Sequence, residues 1–136
     1  MLKKTVTYQD IFDPETTRTE DCYFNLTKSE IMKLEMGVEG GFSEKLKSIA
    51  RSVNAPEIMD TFNMILLKAY GKREGNKFVK SDEISHEFEQ SPAYDQIFME
   101  LVTNAEAAAK FINAIVPEDM RQSDSDVVDF ARKQLN

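Results

Sequence analysis

His86 is the side chain best suited to acid–base or metal chemistry, because it is the single histidine of this 136-residue chain. It follows Asp82 by four residues, so on a helix the two side chains would share one face, with Glu83 and Glu87 nearby as further candidate metal ligands. The chain has neither an HExxH nor an HxH spacing, and three good ligands are not evident. We therefore interpret His86 as part of a surface ion pair and predict no metal site.

Paired carboxylates could also perform acid–base catalysis, and the acidic segment, residues 81–109, contains seven acids but no lysine or arginine. Catalysis needs two carboxyl groups held at a fixed separation in a pocket that splits their pKa values. The acids here follow amphipathic helical patterns instead and are expected to face water: Asp82, Glu83, Glu87, Glu89, Asp95, Glu100 and Glu106. We predict no catalytic residues and interpret the chain as a protein that is not an enzyme.

The charge of the acidic segment equals the net charge of the whole chain, which is −7. A surface of this kind repels phosphate backbones, so binding to nucleic acid is not expected. Two interpretations remain open. The segment is either a solvated face of two helices, which is the commoner case, or a docking surface for a basic partner.

A small basic cluster lies in residues 71–77 and just beyond, where the sequence GKREGNK superficially resembles a phosphate-binding loop. A Walker sequence requires a glycine, four residues and then Gly-Lys followed by serine or threonine, and Gly71 with Gly75 does not satisfy it. We predict a solvated turn or, less commonly, a contact with an acidic partner. The basic residues are Lys72, Arg73, Lys77 and Lys80.

Cys22 is the only cysteine, so an internal disulfide and a structural zinc set are both excluded. It alternates with Phe24 on a predicted strand, which indicates a buried, inert thiol. Asp124 and Asp126 suggest a calcium loop until the sixth position is checked, where Asp129 replaces the required glycine. No cofactor is expected.

The composition, with 41% hydrophobic and 30% charged residues, fits one soluble domain with a substantial core. The N-terminal sequence MLKKTVTYQD turns polar at once, so no secretory signal is predicted. The longest apolar run covers residues 64–67, far short of the ~20 residues that span a bilayer. We expect a reduced cytoplasmic protein that does not enter the membrane. Its seven methionines either fill the core or line an adaptable binding groove.

The elements that must position these residues begin with two predicted strands. Residues 2–8 and 22–26 alternate with period two and are rich in β-branched and aromatic side chains. The polar stretch 13–21 would join them as a hairpin loop. Thr27 and Glu30 have the spacing of a capping box, so the second strand should lead directly into a helix that ends near Gly37.

Short helices are predicted over most of the remaining chain. Periodic apolar residues indicate one helix in residues 42–53 and another that opens at Pro56. Ser81, Ser91 and Asn104 are predicted N-caps of three more. We predict a mainly α (α+β) fold, with a β-hairpin in residues 1–26 and a bundle of about six or seven short helices in residues 27–117, as one domain. Residues 118–136 are predicted as a polar tail, in which 126–134 weakly favour a last short helix.

Two stretches of the chain carry a resemblance by their combination and order. The first is Tyr23-Phe24-Asn25-Leu26-Thr27-Lys28-Ser29-Glu30, and the second runs from Ala69-Tyr70-Gly71 through Phe78, Lys80, Phe88, Ser91, Ala93-Tyr94, Phe98 and Phe111-Ile112. Together they resemble the tail assembly chaperones of long-tailed siphophages and their prophages. The resemblance covers most of residues 1–117.

The resemblance implies a function in viral morphogenesis. Chaperones of this family bind the tape-measure protein, keep that long helical and hydrophobic chain soluble, and help recruit tail-tube (major tail) subunits around it. Many also exist as a frameshifted longer form, which would be a further partner. The protein would act in the host cytoplasm and is not expected in the mature virion. The family supplies no catalytic, cofactor or metal residues, and no partner-binding residue is assigned.

A chaperone that holds a hydrophobic client needs accessible apolar surface. We therefore expect an exposed apolar groove among the helices of residues 70–117, which we term the 70–117 block. The alternative from a different class is a helical adaptor or regulator of phage or bacterial origin that binds one partner. Its N-terminal hairpin would then offer a strand edge for pairing.

Overall fold

A four-stranded antiparallel sheet and the helices on one of its faces make up the fold. The structure is a computed structural model that describes residues 1–37, 40–41 and 55–117. The strands have the order β1-β2-β3-β4 in the sheet. Along the chain the elements are β1 (Leu2–Gln9), β2 (Thr17–Phe24), α1 (Lys28–Gly37), α2 (Ala55–Ala69), β3 (Tyr70–Glu74), β4 (Lys77–Val79), α3 (Asp82–Glu89), α4 (Pro92–Thr103) and α5 (Ala105–Ile115).

The prediction of a lone hairpin followed by six or seven helices is wrong, since the described residues contain four strands and five helices. Residues 71–76, predicted as a turn, are mostly strand, and Gly71 pairs with Tyr23 of β2. Gly71 has no room for a side chain, because an added Cβ would lie 2.6 Å from the Phe78 ring. Gly75 turns the chain between β3 and β4 with a φ of 62°. Lys77–Val79 forms the short strand β4.

The second strand of the hairpin begins earlier than predicted, at Thr17 rather than at Cys22. Thr5 donates a hydrogen bond to Asp21 at 2.8 Å, and Thr7 and Thr19 are 3.1 Å apart. These cross-strand pairs lie on the solvent face, so the first half of β2 carries polar side chains and lacks the apolar alternation used to predict it. The predicted helix in 42–53, the polar tail in 118–136 and the weak helix in 126–134 lie outside the described residues.

The predicted helix starts are confirmed by their caps. Thr27 and Glu30 form the reciprocal capping box, with the Thr27 amide 3.0 Å from Glu30 Oε1 and the Glu30 amide 3.1 Å from Thr27 Oγ1. The side chains of Ser81, Ser91 and Asn104 each accept a hydrogen bond from an amide three residues ahead. These contacts are local, and the sequence therefore predicts them well.

The core lies between the sheet and α1 to α5, with Phe24 at its centre. Phe24 is fully buried, and its ring packs edge-to-face against the rings of Tyr70, Phe88 and Phe111. Two backbone hydrogen bonds fix the end of the hairpin to the helices, from Asn25 to Ala69 O at 2.9 Å and from Leu26 to Ile115 O at 2.8 Å. The base of the hairpin is thus part of the core.

Candidate partner-binding loop

The residues singled out for chemistry do not converge. His86, Asp82, Glu83 and Glu87 are all exposed on α3. No group of three or more histidine, cysteine or acidic side chains in the described ranges is placed to hold a metal ion. Cys22 is buried, and burial raises the pKa of its thiol to about 12.

Three acids of the acidic segment are partnered by lysines of the same chain. Glu100 binds Lys4 of β1 at 3.2 Å, Glu106 binds Lys110 at 3.5 Å, and Glu87 lies 3.8 Å from Lys72 of β3. Part of the negative charge is therefore used within the molecule. A docking surface for a basic partner would depend on the other acids: Asp82, Glu83, Glu89 and Asp95.

Lys80 belongs to the predicted basic cluster, but it does not lie in a solvated turn. Its side chain forms hydrogen bonds that connect two parts of the fold. Its Nζ donates to Asn25 O at 2.7 Å and to both carboxylate oxygens of Glu30, at 2.9 and 2.8 Å. Glu30 also accepts the Thr27 amide, so one lysine joins the β2–α1 junction to the segment after β4. Burial raises the pKa of Glu30, but hydrogen bonds from Lys80 and from Thr27 outweigh burial and lower it.

The aromatic side chains of the 70–117 block do not form an exposed apolar groove. Each of its six aromatic residues is buried or half-buried: Tyr70, Phe78, Phe88, Tyr94, Phe98 and Phe111. Within the described ranges, the large apolar side chains with the greatest exposure lie outside that block. Phe12 is 96% exposed, Met36 81% and Ile11 68%.

Ile11 and Phe12 sit side by side in the loop of the β1–β2 hairpin, residues 10–16, which we term the tip loop. An exposed phenylalanine does not gain the ~1.5–3 kcal/mol that full burial of such a side chain contributes. The neighbouring side chains are polar and mostly acidic: Asp10, Asp13, Glu15 and Thr16. The tip loop is thus a small apolar projection surrounded by negative charge.

Hydrogen bonds within the tip loop hold this projection in one conformation. Asp10 Oδ1 accepts the amides of Phe12 at 2.8 Å and Asp13 at 3.1 Å, while Asp10 Oδ2 accepts from the Arg18 guanidinium. The Asp10 amide donates to Thr16 O, and the Thr16 amide donates to Asp13 O, both at 2.9 Å. The loop is therefore closed by backbone contacts at its ends and by an Asp side chain within it.

The electrostatics of the tip loop keep Asp10 ionised. The Arg18 hydrogen bond is the largest cause of the lowered pKa of Asp10, and the Phe12 amide adds to it. The Asp10 carboxylate accepts the amides of Phe12 and Asp13. The backbone at Phe12 therefore cannot rotate without breaking these hydrogen bonds. The backbone that carries the aromatic ring is thus preorganised, and less backbone entropy is lost when a partner covers the ring.

An arrangement of this kind supports binding and no covalent chemistry. A buried aromatic anchor that fills a partner's pocket is the usual centre of an interface, and a polar rim around it supplies specificity. The tip loop was not predicted, because Ile11 and Phe12 lie between the predicted strand, residues 2–8, and the predicted polar loop, residues 13–21. The available signal was two adjacent large apolar residues, Ile11 and Phe12, directly before the turn-forming pair Asp13 and Pro14.

No described helix has the length and apolarity that crossing a membrane requires. Searches of the curated proteins and of the solved structures gave no significant match. A family model described as phage tail assembly chaperone matches residues 1–134.

Proposed function

Because the chain belongs to the phage tail assembly chaperone family, we propose that it binds the tape-measure protein and helps recruit tail-tube subunits during tail morphogenesis. Family membership confirms the resemblance recognised in the sequence. A chaperone of this family acts by binding rather than by catalysis. The partners named here, and action in the host cytoplasm before the virion is complete, are part of the proposal.

The observation that carries the proposal is the 96% exposure of Phe12 on a loop that its own hydrogen bonds hold in place. A long helical client presents apolar side chains in a stripe, with gaps between successive turns. An aromatic ring held out from a narrow hairpin can enter such a gap. Ile11, which is 68% exposed, would widen the apolar contact.

The acidic surroundings of Phe12 support the same function in a second way. The chain carries a net charge of −7, and Asp13 and Glu15 lie close to Phe12 in the tip loop. Negative charge next to an apolar projection opposes self-association through that projection and favours solubility of a complex with a hydrophobic client. It also favours client segments that have lysine or arginine beside their apolar stripe.

The test is co-expression of the tape-measure protein with the wild-type chain, with Phe12→Asp and with Met99→Asp. Met99 is 48% exposed on α4, so Met99→Asp removes an exposed apolar side chain at a different place. We expect wild type and Met99→Asp to keep the tape-measure protein in the soluble fraction and to co-purify with it. Phe12→Asp should lose at least about tenfold in affinity, as expected for an interface anchor.

Two outcomes would contradict the proposal. If the tape-measure protein stays insoluble with the wild-type chain, the client is a different protein. If Phe12→Asp performs as well as wild type while both remain folded by circular dichroism, the tip loop is not the contact. Co-purification without any gain in client solubility would favour the adaptor interpretation.

A further inference from the structure

Among the described residues, β1 is the edge strand of the sheet next to β2. In the described part of the chain it pairs with β2 alone, and β2 pairs on its other side with β3. The Asp10 amide donates to Thr16 O, and this pair continues the register in which Leu2 lies opposite Phe24. In an antiparallel ladder, hydrogen-bonded residue pairs alternate with pairs that are not hydrogen-bonded. Since Asp10 belongs to a hydrogen-bonded pair, the even-numbered residues of β1 form the backbone hydrogen bonds to β2. The odd-numbered residues point their amide and carbonyl groups toward the open edge.

Among the described residues, this edge is regular and its charges are paired within the chain. All eight residues of β1 keep one continuous register with β2, without a bulge, and the strand contains no proline. The strand carries two lysines, and both are paired within the chain: Lys3 lies 3.6 Å from Asp21 and Lys4 lies 3.2 Å from Glu100. Neither lysine therefore presents an unpaired charge to a second strand, and a long, regular edge of this kind is suited to pairing.

Two hollows run beside this edge, between β1 and the helices. The larger, about 460 Å³, is lined by apolar residues that include Leu2, Ala107 and Phe111 and by charged residues that include Glu106 and Lys110. The smaller, about 300 Å³, lies between Val6 and the α4 residues Gln96 and Ile97. The Lys4–Glu100 ion pair, at 3.2 Å, separates them and belongs to the walls of both. A trough between an edge strand and a helix is the geometry in which an added strand binds.

We propose that the occupant of this trough is β1 of a second copy of the chain, paired antiparallel about a two-fold axis at Thr5. This register sets the outward-pointing residues of the two strands opposite one another: Thr5 faces Thr5, and Lys3 faces Thr7. The two four-stranded sheets then become one sheet of eight strands. The inference goes beyond the proposed function and does not depend on it.

Side-chain chemistry favours a second copy as the occupant. In the Thr5 register, Tyr8 of the second copy lies opposite Leu2, at the larger hollow, while its hydroxyl donates to Glu20 of its own chain. Lys4 of the second copy lies opposite Val6, next to Glu100 at the wall of the smaller hollow. No like charges face each other across the two strands in this register, whereas a two-fold axis at Lys3 would oppose two lysines. The interface is therefore self-complementary, as a two-fold dimer requires.

The first test is sedimentation velocity over a range of protein concentrations, on wild type, Thr5→Pro and Thr5→Val. Proline at an odd-numbered position removes an amide that points to the open edge and leaves the bonds to β2 in place. Valine keeps the amide and suits a strand. We expect concentration-dependent dimers for wild type and Thr5→Val, and a dissociation constant raised at least about tenfold for Thr5→Pro. Urea unfolding confirms that each variant is folded, and Thr7→Pro is the replacement if Thr5→Pro is not.

The second test identifies the register by cysteine cross-linking. Thr5→Cys should form disulfide-linked dimers under mild oxidation, since position 5 faces itself across the two-fold axis. Thr7→Cys, which faces Lys3, should remain unlinked. Cys22 is buried and will not interfere. A wild-type chain that stays monomeric, a dimer that Thr5→Pro does not weaken, or linking of Thr7→Cys in preference to Thr5→Cys would each overturn the proposal.

Discussion

At the base of the β1–β2 hairpin Phe24 is fully buried, whereas at the tip of the same hairpin Phe12 is 96% exposed. The base is joined to other elements, through Asn25 and Leu26 to the ends of α2 and α5 and through Lys4 to Glu100 of α4. The tip loop makes its hydrogen bonds within residues 10–18. One hairpin therefore contributes to the core at one end and presents an apolar side chain to solvent at the other.

The difference separates stabilising contacts from exposed apolar surface between Phe24 and Phe12 of one hairpin. A substitution at the base removes contacts that hold the sheet and helices together. A substitution at the tip removes contacts that only the hairpin itself makes. The two ends should therefore respond differently to mutation, and the following experiments measure by how much.

Phe24→Ala should have the largest effect on the free energy of unfolding. It deletes a fully buried ring that contacts three other aromatic rings, and such truncations cost about 3–5 kcal/mol. Urea unfolding measures the loss, with Phe12→Ala as the matched control because an exposed substitution should change stability by no more than about 0.5 kcal/mol. Equal losses at the two positions would show that the tip is as much a part of the core as the base.

Lys80→Met should have the next largest effect, because it leaves Glu30 and the Asn25 carbonyl without their shared donor. The Lys80 and Glu30 side chains are 23% and 33% exposed, so water compensates in part and we expect a loss of about 1–2 kcal/mol. Lys72→Met is the control. Its partner Glu87 is 3.8 Å away and both side chains are well exposed, so the loss should be about 0–0.5 kcal/mol. A larger loss for Lys72→Met than for Lys80→Met would contradict this account of the base.

Acid should weaken the base of the hairpin through Glu30. Because its pKa in the folded protein is lowered from 4.5, the unfolded chain binds the proton more readily. The contribution of Glu30 is complete above that ordinary value and is lost as the pH falls through the folded pKa. The urea midpoint should therefore drop less on acidification in Lys80→Met than in wild type. The other carboxylates are the same in both proteins, so they do not produce this difference between the two pH profiles. Parallel pH profiles would show that the Lys80–Glu30 pair does not stabilise the fold.

How much of the molecule could be predicted depended on how far apart the interacting residues lie in sequence. The caps at Ser81, Ser91 and Asn104 were predicted correctly, because each hydroxyl or amide side chain contacts an amide three residues ahead. β3 was missed because Gly71 pairs with Tyr23, a distant residue that local patterns do not show. A short polar strand that includes glycine has the composition of a turn, and only its neighbour in the sheet makes it a strand.

The tip loop was missed for a different reason. Periodicity identifies apolar residues that are repeated, and Ile11 and Phe12 form a single pair outside any repeat. The prediction that Lys80 is solvated was also wrong. A lysine after a turn is usually solvated, and its partner Glu30 is fifty residues away in sequence. The candidate binding site thus depends on exposure and on loop geometry, which only the folded chain displays.

Asp10→Ala should have the smallest effect on global stability and a clear local one. The carboxylate accepts the amides of Phe12 and Asp13 and the Arg18 guanidinium, all within the hairpin, so its removal should lower the free energy of unfolding by only about 0.5–1 kcal/mol. Hydrogen exchange of the Phe12 and Asp13 amides should become faster, because local opening no longer breaks a hydrogen bond to the side chain. Glu15→Ala removes an exposed acid of the tip loop and should leave both amides as protected as in wild type. If Asp10→Ala weakens tape-measure binding while Phe12 is still present, preorganisation contributes to recognition in addition to the apolar side chain. If exchange accelerates and binding is unchanged, exposure of the ring is sufficient and the fixed loop conformation is not needed.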